Sequence, residues 1–303
     1  MEQGNVYYIV MRHAKILLSA CALWLLTGCS DNDAPDYPVY MQPLSITSSI
    51  EGGSTQTFEY DDYGRIVRWT EYFGDNDRVS ARYSYPDANT IVAESEVTGG
   101  DIRMYKETIV LDKGRAASSE GTFICRQEGN DGFHTTARKT YRLSFDYDWA
   151  GHLTVVKHSE VTGIGDDMPD NAWDKAWEWE NYLIWNNGNL VEFQDKQGRP
   201  EVYSTTKYKY VASATDYPLI MPASVINCYH HIPLLMKGVF GTNSTGLLSE
   251  ATKYDRNGNV TMSNAYDYRI EDGRIAGYTH TPSYATAASY SVAWTDGADE
   301  TPR

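Results

Sequence analysis

The chain has 303 residues, of which 13% are aromatic and 24 are tyrosine, a composition that favours strands over a helical bundle. Its length allows a sizeable core, in one large β domain or two smaller ones. The formal net charge of −15 excludes partners that need a basic face, nucleic acid and anionic lipid among them.

From Met11 to Cys29 the chain reads as a secretory signal, with a basic start, an apolar run from Ile16 to Leu26 and small residues before the cysteine. Met11 suits the start of such a signal better than Met1 does. The apolar run is too short to span a bilayer, which takes about 20 residues. Leu26-Thr27-Gly28-Cys29 resembles the bacterial lipobox, which implies cleavage before Cys29 and acylation of its sulfur. Acyl chains contribute about 0.8 kcal/mol per buried methylene, so several of them hold a protein on a membrane. Residues 1–28 are therefore expected to be a signal peptide, and Cys29 the lipidated first residue of the mature chain. Loss of Arg12, Lys15 and Glu2 makes that chain one unit more negative. Ser30-Asp31-Asn32-Asp33 resembles the acidic signal that sends Bacteroidota lipoproteins to the cell surface. That resemblance implies the outer membrane, with its outer face favoured over the periplasmic one. Cys21 leaves with the signal; Cys125 and Cys228 are expected as buried thiols in preference to a disulfide, because one bridge makes no disulfide scaffold.

Residues 29–44, with Pro35, Pro38 and Pro43 among polar side chains, read as a lipidated flexible tether. A single antiparallel β domain is expected over 45–296 and a disordered tail over 297–303. Strands are predicted at 56–60, 65–73, 80–85, 89–97, 102–111, 115–127, 137–147 and 152–160. Further strands are predicted at 175–185, 189–194, 201–211, 247–255, 259–270, 274–280 and 287–294. Their connections are too short for parallel crossovers, so the chain is expected to meander.

One turn word recurs, Tyr-Asp-x-x-Gly-x-aliphatic, at Tyr60 to Ile66, Tyr147 to Leu153 and Tyr254 to Val260. The aspartate can accept local backbone hydrogen bonds, and the glycine tolerates positive φ where the next strand begins. Shorter variants end in Lys113-Gly114, Asn187-Gly188 and Asp272-Gly273, the last two being favoured pairs for two-residue hairpins. The segment Asp216 to Gly241 breaks the pattern: it is apolar without two-residue alternation and is cut by Pro218, Pro222 and Pro233. Short helices or an apolar plug near 217–241 fit best, and this is the candidate lid for the concave face of a curved sheet. The fold class is thus all-β, a large curved antiparallel meander sheet or partly open barrel.

The repeated Tyr-Asp-x-x-Gly strands, the apolar stretch before Gly238 to Ser244, the following Leu247 to Tyr254 and the lipobox together resemble Bacteroidota lipoproteins of the DUF4595 family. The resemblance covers about residues 44–295 and implies a porin-like fold with no known function, so no functional residues come with it. The turn word is also similar to the YD repeats of Rhs-type proteins, but those stand in regular tandem arrays, whereas here the copies are irregularly spaced. A membrane barrel needs an unbroken apolar outer band, and Arg142 to Tyr147 and Val155 to Ser159 place polar groups on nearly every face. A lipid-anchored sheet in water is the expectation.

No catalytic signature is present: there is no Gly-x-Ser-x-Gly elbow, P-loop or Gly-x-Gly-x-x-Gly. Asp255 to Asn259 begins like a calcium loop, but the glycine falls at the fourth position and no glutamate closes the loop. His230 and His231 would point to opposite faces of a strand, and His152 and His158 stand too far apart to share an ion, so no metal and no cofactor are expected. Trp177, Trp179 and Trp185 share one face of an extended strand, with Glu178, Glu180 and Tyr182 on the other. They are either a platform for sugar rings or the core side of the sheet, since large aromatics dominate core energetics. The expectation is a non-catalytic envelope protein, attached to the membrane through its lipid, with a glycan or another envelope protein as partner. The alternatives are a half-barrel carrier of an apolar ligand or lipid, and a hydrolase with an unrecognised carboxylate pair.

Overall fold

The computed structural model describes residues 42–50, 53–73, 77–98, 101–129, 132–163, 176–196, 201–212 and 230–295. The signal, Cys29, the tether up to residue 41, Cys228 and the tail lie outside these residues. Sixteen strands form one closed antiparallel barrel, each paired with its neighbours in chain order. They are β1 (Pro43–Ser48), β2 (Ser54–Tyr60), β3 (Ile66–Phe73), β4 (Asp77–Asp87), β5 (Thr90–Thr98) and β6 (Asp101–Asp112). Next come β7 (Arg115–Gly129), β8 (Gly132–Tyr147), β9 (Leu153–Gly163), β10 (Trp177–Asn186) and β11 (Asn189–Asp195). The ring continues through β12 (Ser204–Val211), β13 (Leu247–Asp255), β14 (Val260–Glu271), β15 (Arg274–Pro282) and β16 (Ala288–Trp294). Between β12 and β13 lies a single described helix, α1 (His231–Met236).

The all-β meander expected from sequence is the fold, and the ring is fully closed. Closure depends on β1, where Ser45 pairs with Ala293 and Ile46 with Val292 of β16. Residues 43 and 44, expected as the end of the tether, belong to β1, and proline suits the first residue of a strand.

The turns follow their chemistry. Oδ1 of Asp61 accepts from the backbone N–H of Tyr63 and Arg65, that of Asp148 from Ala150 and His152, and that of Asp255 from Asn257 and Asn259. The two-residue hairpins place Lys113, Asn187 and Asp272, with the glycine after each, at positive φ, as a type I′ turn requires.

Alternation then sorts the side chains. On β4, Val79, Ala81 and Tyr83 are buried inside while Arg78 is exposed outside beside Ser80 and Arg82; on β8, Tyr141, Leu143 and Phe145 face in and Arg142 faces out. The outer wall carries cross-strand ion pairs at mid-strand, Lys106 with Glu94, Arg142 with Glu120 and Lys157 with Asp146, each at 2.8 Å. Exposed pairs of this kind add little stability. Among the described residues no helix is long and apolar enough to cross a membrane.

Residues 230–241 of the apolar segment form a plug inside the ring, while residues 217–229 lie outside the described residues. Leu234, Leu235, Met236, Val239 and Phe240 are buried in one core with Phe145, Leu153, Leu190 and Leu247. Backbone bonds tie the plug to one end of the barrel: Ala116 N–H donates to Val239 O, Thr242 N–H to Gly151 O and Thr245 N–H to Gly188 O. At Gly241, with φ of +103°, a Cβ would lie 2.6 Å from Gly151 O, so only glycine permits this approach. The described part of the segment expected as short helices, an apolar plug or a lid holds one short helix and fills that end of the barrel.

Candidate functional site in the barrel lumen

Strand β6 reads Tyr105-Lys-Glu-Thr-Ile109-Val-Leu111, and its alternation places Glu107 among inward-facing apolar residues. The carboxylate is wholly buried, as are His230 and His231 of the plug. Glu107 Oε2 accepts from His230 Nε2 at 2.5 Å, from His231 Nε2 at 2.6 Å and from the Tyr141 hydroxyl at 3.2 Å. Ser95 Oγ lies 3.1 Å from His230 Nδ1, and the Tyr83 hydroxyl donates to His230 O at 2.7 Å. Burial alone would raise the Glu107 pKa, but the charge of His231 and the hydrogen bonds from both histidines outweigh it and hold the carboxyl well below its usual range. Burial, with His231 nearby, lowers that of His230.

The two histidines meet one carboxylate because they do not lie on a strand. His230 caps α1 with helical backbone angles, and the two rings stand edge to face at 4.4 Å. The expectation of opposite faces thus fails on backbone geometry. Tyr141 reaches Glu107 because its ring lies over Gly121, where a Cβ would be 2.5 Å from the ring.

Beside this cluster is a pocket of about 200 Å³ lined by Tyr105, Phe123, Lys139, Tyr141, Glu160 and Trp179, among others. Tyr105 and Phe123 pack at 4.8 Å, and Lys139 Nζ lies 2.8 Å from Glu160 Oε1. Trp179 stacks on His158 at 4.6 Å with the rings 6° from parallel, and its buried indole N–H has no hydrogen-bond partner. Burial, reinforced by His231, pushes the His158 pKa down to about 4, so the ring is neutral. A larger groove of about 750 Å³ runs along the outer wall past Glu120, Arg142, Lys157 and Glu178. It is a furrow between exposed charged side chains, so the lumenal pocket is the better seat for a ligand.

The tryptophans share a face as predicted, and that face is the lumen. Trp177 pairs across from Glu160 and Trp179 from His158, while Glu178 and Glu180 oppose Ser159 and Lys157 of the outer wall. Their roles divide. Trp185 stacks on His152 at 4.4 Å and its indole N–H donates to Leu153 O at 2.7 Å, which makes it a core residue. Trp179 is half-buried in the pocket wall, and Trp177, whose ring lies 5.9 Å from that of Trp179, is 57% exposed. His152 and His158 belong to separate stacks. Cys125 is half-buried on β7. Sequence reasoning missed Glu107, although an acid between Tyr105 and Ile109 on an apolar parity was the available signal.

No protein-family model matches the chain, and no curated protein does. Among solved structures it is similar to a porin-like protein from Bacteroides vulgatus, with 16% identity over 83% of this chain and 97% of that one and a TM-score of 0.48. It is also similar to a porin-like protein from Bacteroides uniformis, with 15% identity over 86% of this chain and 99% of that one and a TM-score of 0.46. Both likenesses are distant in sequence and in superposition, and neither name bears on what this lumen holds.

Proposed function

We propose that the protein is a non-catalytic lipoprotein of the cell envelope whose barrel stands in water and binds a saccharide in the lumenal pocket. The observation that carries this reading is the pocket wall: aromatic faces from Tyr105, Phe123 and Trp179 together with the Lys139–Glu160 pair. Aromatic faces stack on the C–H faces of sugar rings, and charged and amide groups bond the hydroxyls, which is the division of labour in a small-ligand site. The exposed Trp177 extends the aromatic surface past the pocket. The plug occupies the space that a carrier of an apolar ligand would need at its end of the barrel, which favours this reading over the carrier.

Location rests on other residues. The charged mid-strand pairs of the outer wall are the reverse of the apolar band that a lipid-embedded barrel shows. The lipobox ending at Cys29 and the acidic run after it support an acyl anchor in the outer membrane with the barrel exposed at the cell surface, as does the resemblance to DUF4595 lipoproteins.

Saccharide titration of the purified mature chain, followed by calorimetry, tests the ligand. Binding that is lost in Trp179→Ala while the barrel stays folded is expected; a folded wild type blank across glycan screens overturns the reading. For the anchor, Cys29→Ala is expected to move the protein from the membrane fraction to the soluble one. Protease added to intact cells is expected to cut it, and an uncut protein refutes surface exposure.

A further inference from the structure

We propose that Glu107, His230 and His231 bind one divalent transition-metal ion, zinc foremost, that fastens the plug to the barrel wall. The three side chains offer one carboxylate oxygen and two imidazole nitrogens, and these atoms all lie within 4.8 Å of one another. That donor set suits zinc and its first-row neighbours better than magnesium or calcium, which prefer oxygen alone. All three residues are wholly buried, and they come from two separate parts of the chain, β6 and the plug.

Two features point to a ligand beyond the residues themselves. Glu107 Oε1 is buried with no hydrogen-bond partner, although buried polar atoms are nearly always satisfied, and it can join Oε2 on the ion. Moreover, Ser95 Oγ stands 3.1 Å from His230 Nδ1. A ligating histidine presents its lone pair at one nitrogen and donates from the other, and a partner on that second nitrogen orients the ring. Ser95 is placed to be that partner when Nε2 faces the metal.

The geometry needs little adjustment. Zinc binds imidazole nitrogen at about 2.0–2.1 Å and carboxylate oxygen at about 2.0–2.2 Å, so ligand atoms in a tetrahedral shell sit about 3.3 Å apart. The Nε2 to Oε2 contacts of 2.5 and 2.6 Å therefore open by less than about 1 Å when an ion takes the place of the two Nε2 hydrogens, each imidazole remaining neutral with its one proton on Nδ1. The Tyr141 hydroxyl, 3.2 Å from Oε2, adjoins the fourth position. A dication also compensates the charge of a carboxylate that is costly to keep buried. Full burial of the three ligands makes this a structural ion, which does not depend on the saccharide reading.

The test uses the mature chain without a histidine tag, stripped with a chelator and dialysed. Titration with zinc chloride is expected to saturate at one ion per chain and to raise the melting temperature. Cobalt(II) is expected to give the visible bands of a nitrogen and oxygen site with no thiolate charge-transfer band. Glu107→Gln and His231→Ala should abolish saturable binding in chains that circular dichroism shows to be β-rich. Ser95→Ala, a milder change, should weaken it about 10–100-fold. A folded wild type that takes up neither ion overturns the proposal. So does a Glu107→Gln chain that binds as tightly as wild type, or, where that variant does not fold, a Ser95→Ala chain of unchanged affinity.

Discussion

Replacing Glu107 with alanine removes one acceptor from three donors at once. Oε2 is bonded to His230, His231 and Tyr141, and neither histidine has any exposure through which water could take its place. A hydrogen bond to a charged group is worth about 1.5–3 kcal/mol net. Three bonds on one oxygen are not independent, however, and deleting the carboxylate also returns its desolvation cost. The working figure is therefore that for breaking a buried ion pair from one side, about 3–5 kcal/mol. Urea unfolding followed by tryptophan fluorescence, in chelator so that no metal contributes, reads this as a lower midpoint at unchanged slope. Replacing Glu107, His230 and His231 together with apolar residues of similar volume should recover part of the loss, because no charge is then left buried without its partner, although Ser95 and Tyr141 lose their bonds to His230 and Glu107. A Glu107→Ala chain within about 0.5 kcal/mol of wild type, the range of ordinary surface changes, would refute the buried cluster.

Three further outcomes follow from the same geometry. His158, held at about 4 in the fold against an ordinary 6.5, binds its proton more readily when unfolded. Its contribution is therefore complete above pH 6.5 and lost as pH falls toward 4; at 1.36 kcal/mol per unit this amounts to about 3 kcal/mol. His158→Gln should flatten that part of the stability profile, and an unchanged slope in denaturant melts across pH 4–7 contradicts it. Gly121→Ala places a methyl 2.5 Å from the Tyr141 ring, and overpacking of this kind costs about 1–3 kcal/mol. It should also displace a pocket wall, so calorimetry is expected to show weaker ligand binding. Trp185→Ala removes a core ring and its bond to Leu153 O, at a cost of about 3–5 kcal/mol, whereas Trp177→Ala, at an exposed site, should leave the unfolding midpoint nearly unchanged. Equal losses in the two variants would contradict the division of roles along β10.

How much could be read in advance depended on the range of the interaction. The Asp148 turn and the Asn187-Gly188 hairpin are decided by bonds within five residues, so their sequences name them. Strand parity is equally local, and it put Trp177, Trp179 and Trp185 on one side before any strand had a partner. Pro43 read as tether because the benefit of its strand comes from pairing with residues at the far end of the chain. His230 and His231 share one carboxylate because a short helix, and not a strand, carries them, and Glu107 comes from a distant strand.

From its sequence alone the protein was determined to be an all-β meander with glycine turns, one apolar interruption and tryptophans on a common face, since each follows from contacts between near neighbours in the chain. Only the tertiary structure decided that the ring closes, that the common face lines a lumen, and that Glu107 meets two histidines more than a hundred residues away. Those outcomes turn on which distant surfaces exclude water together, and no local pattern encodes them.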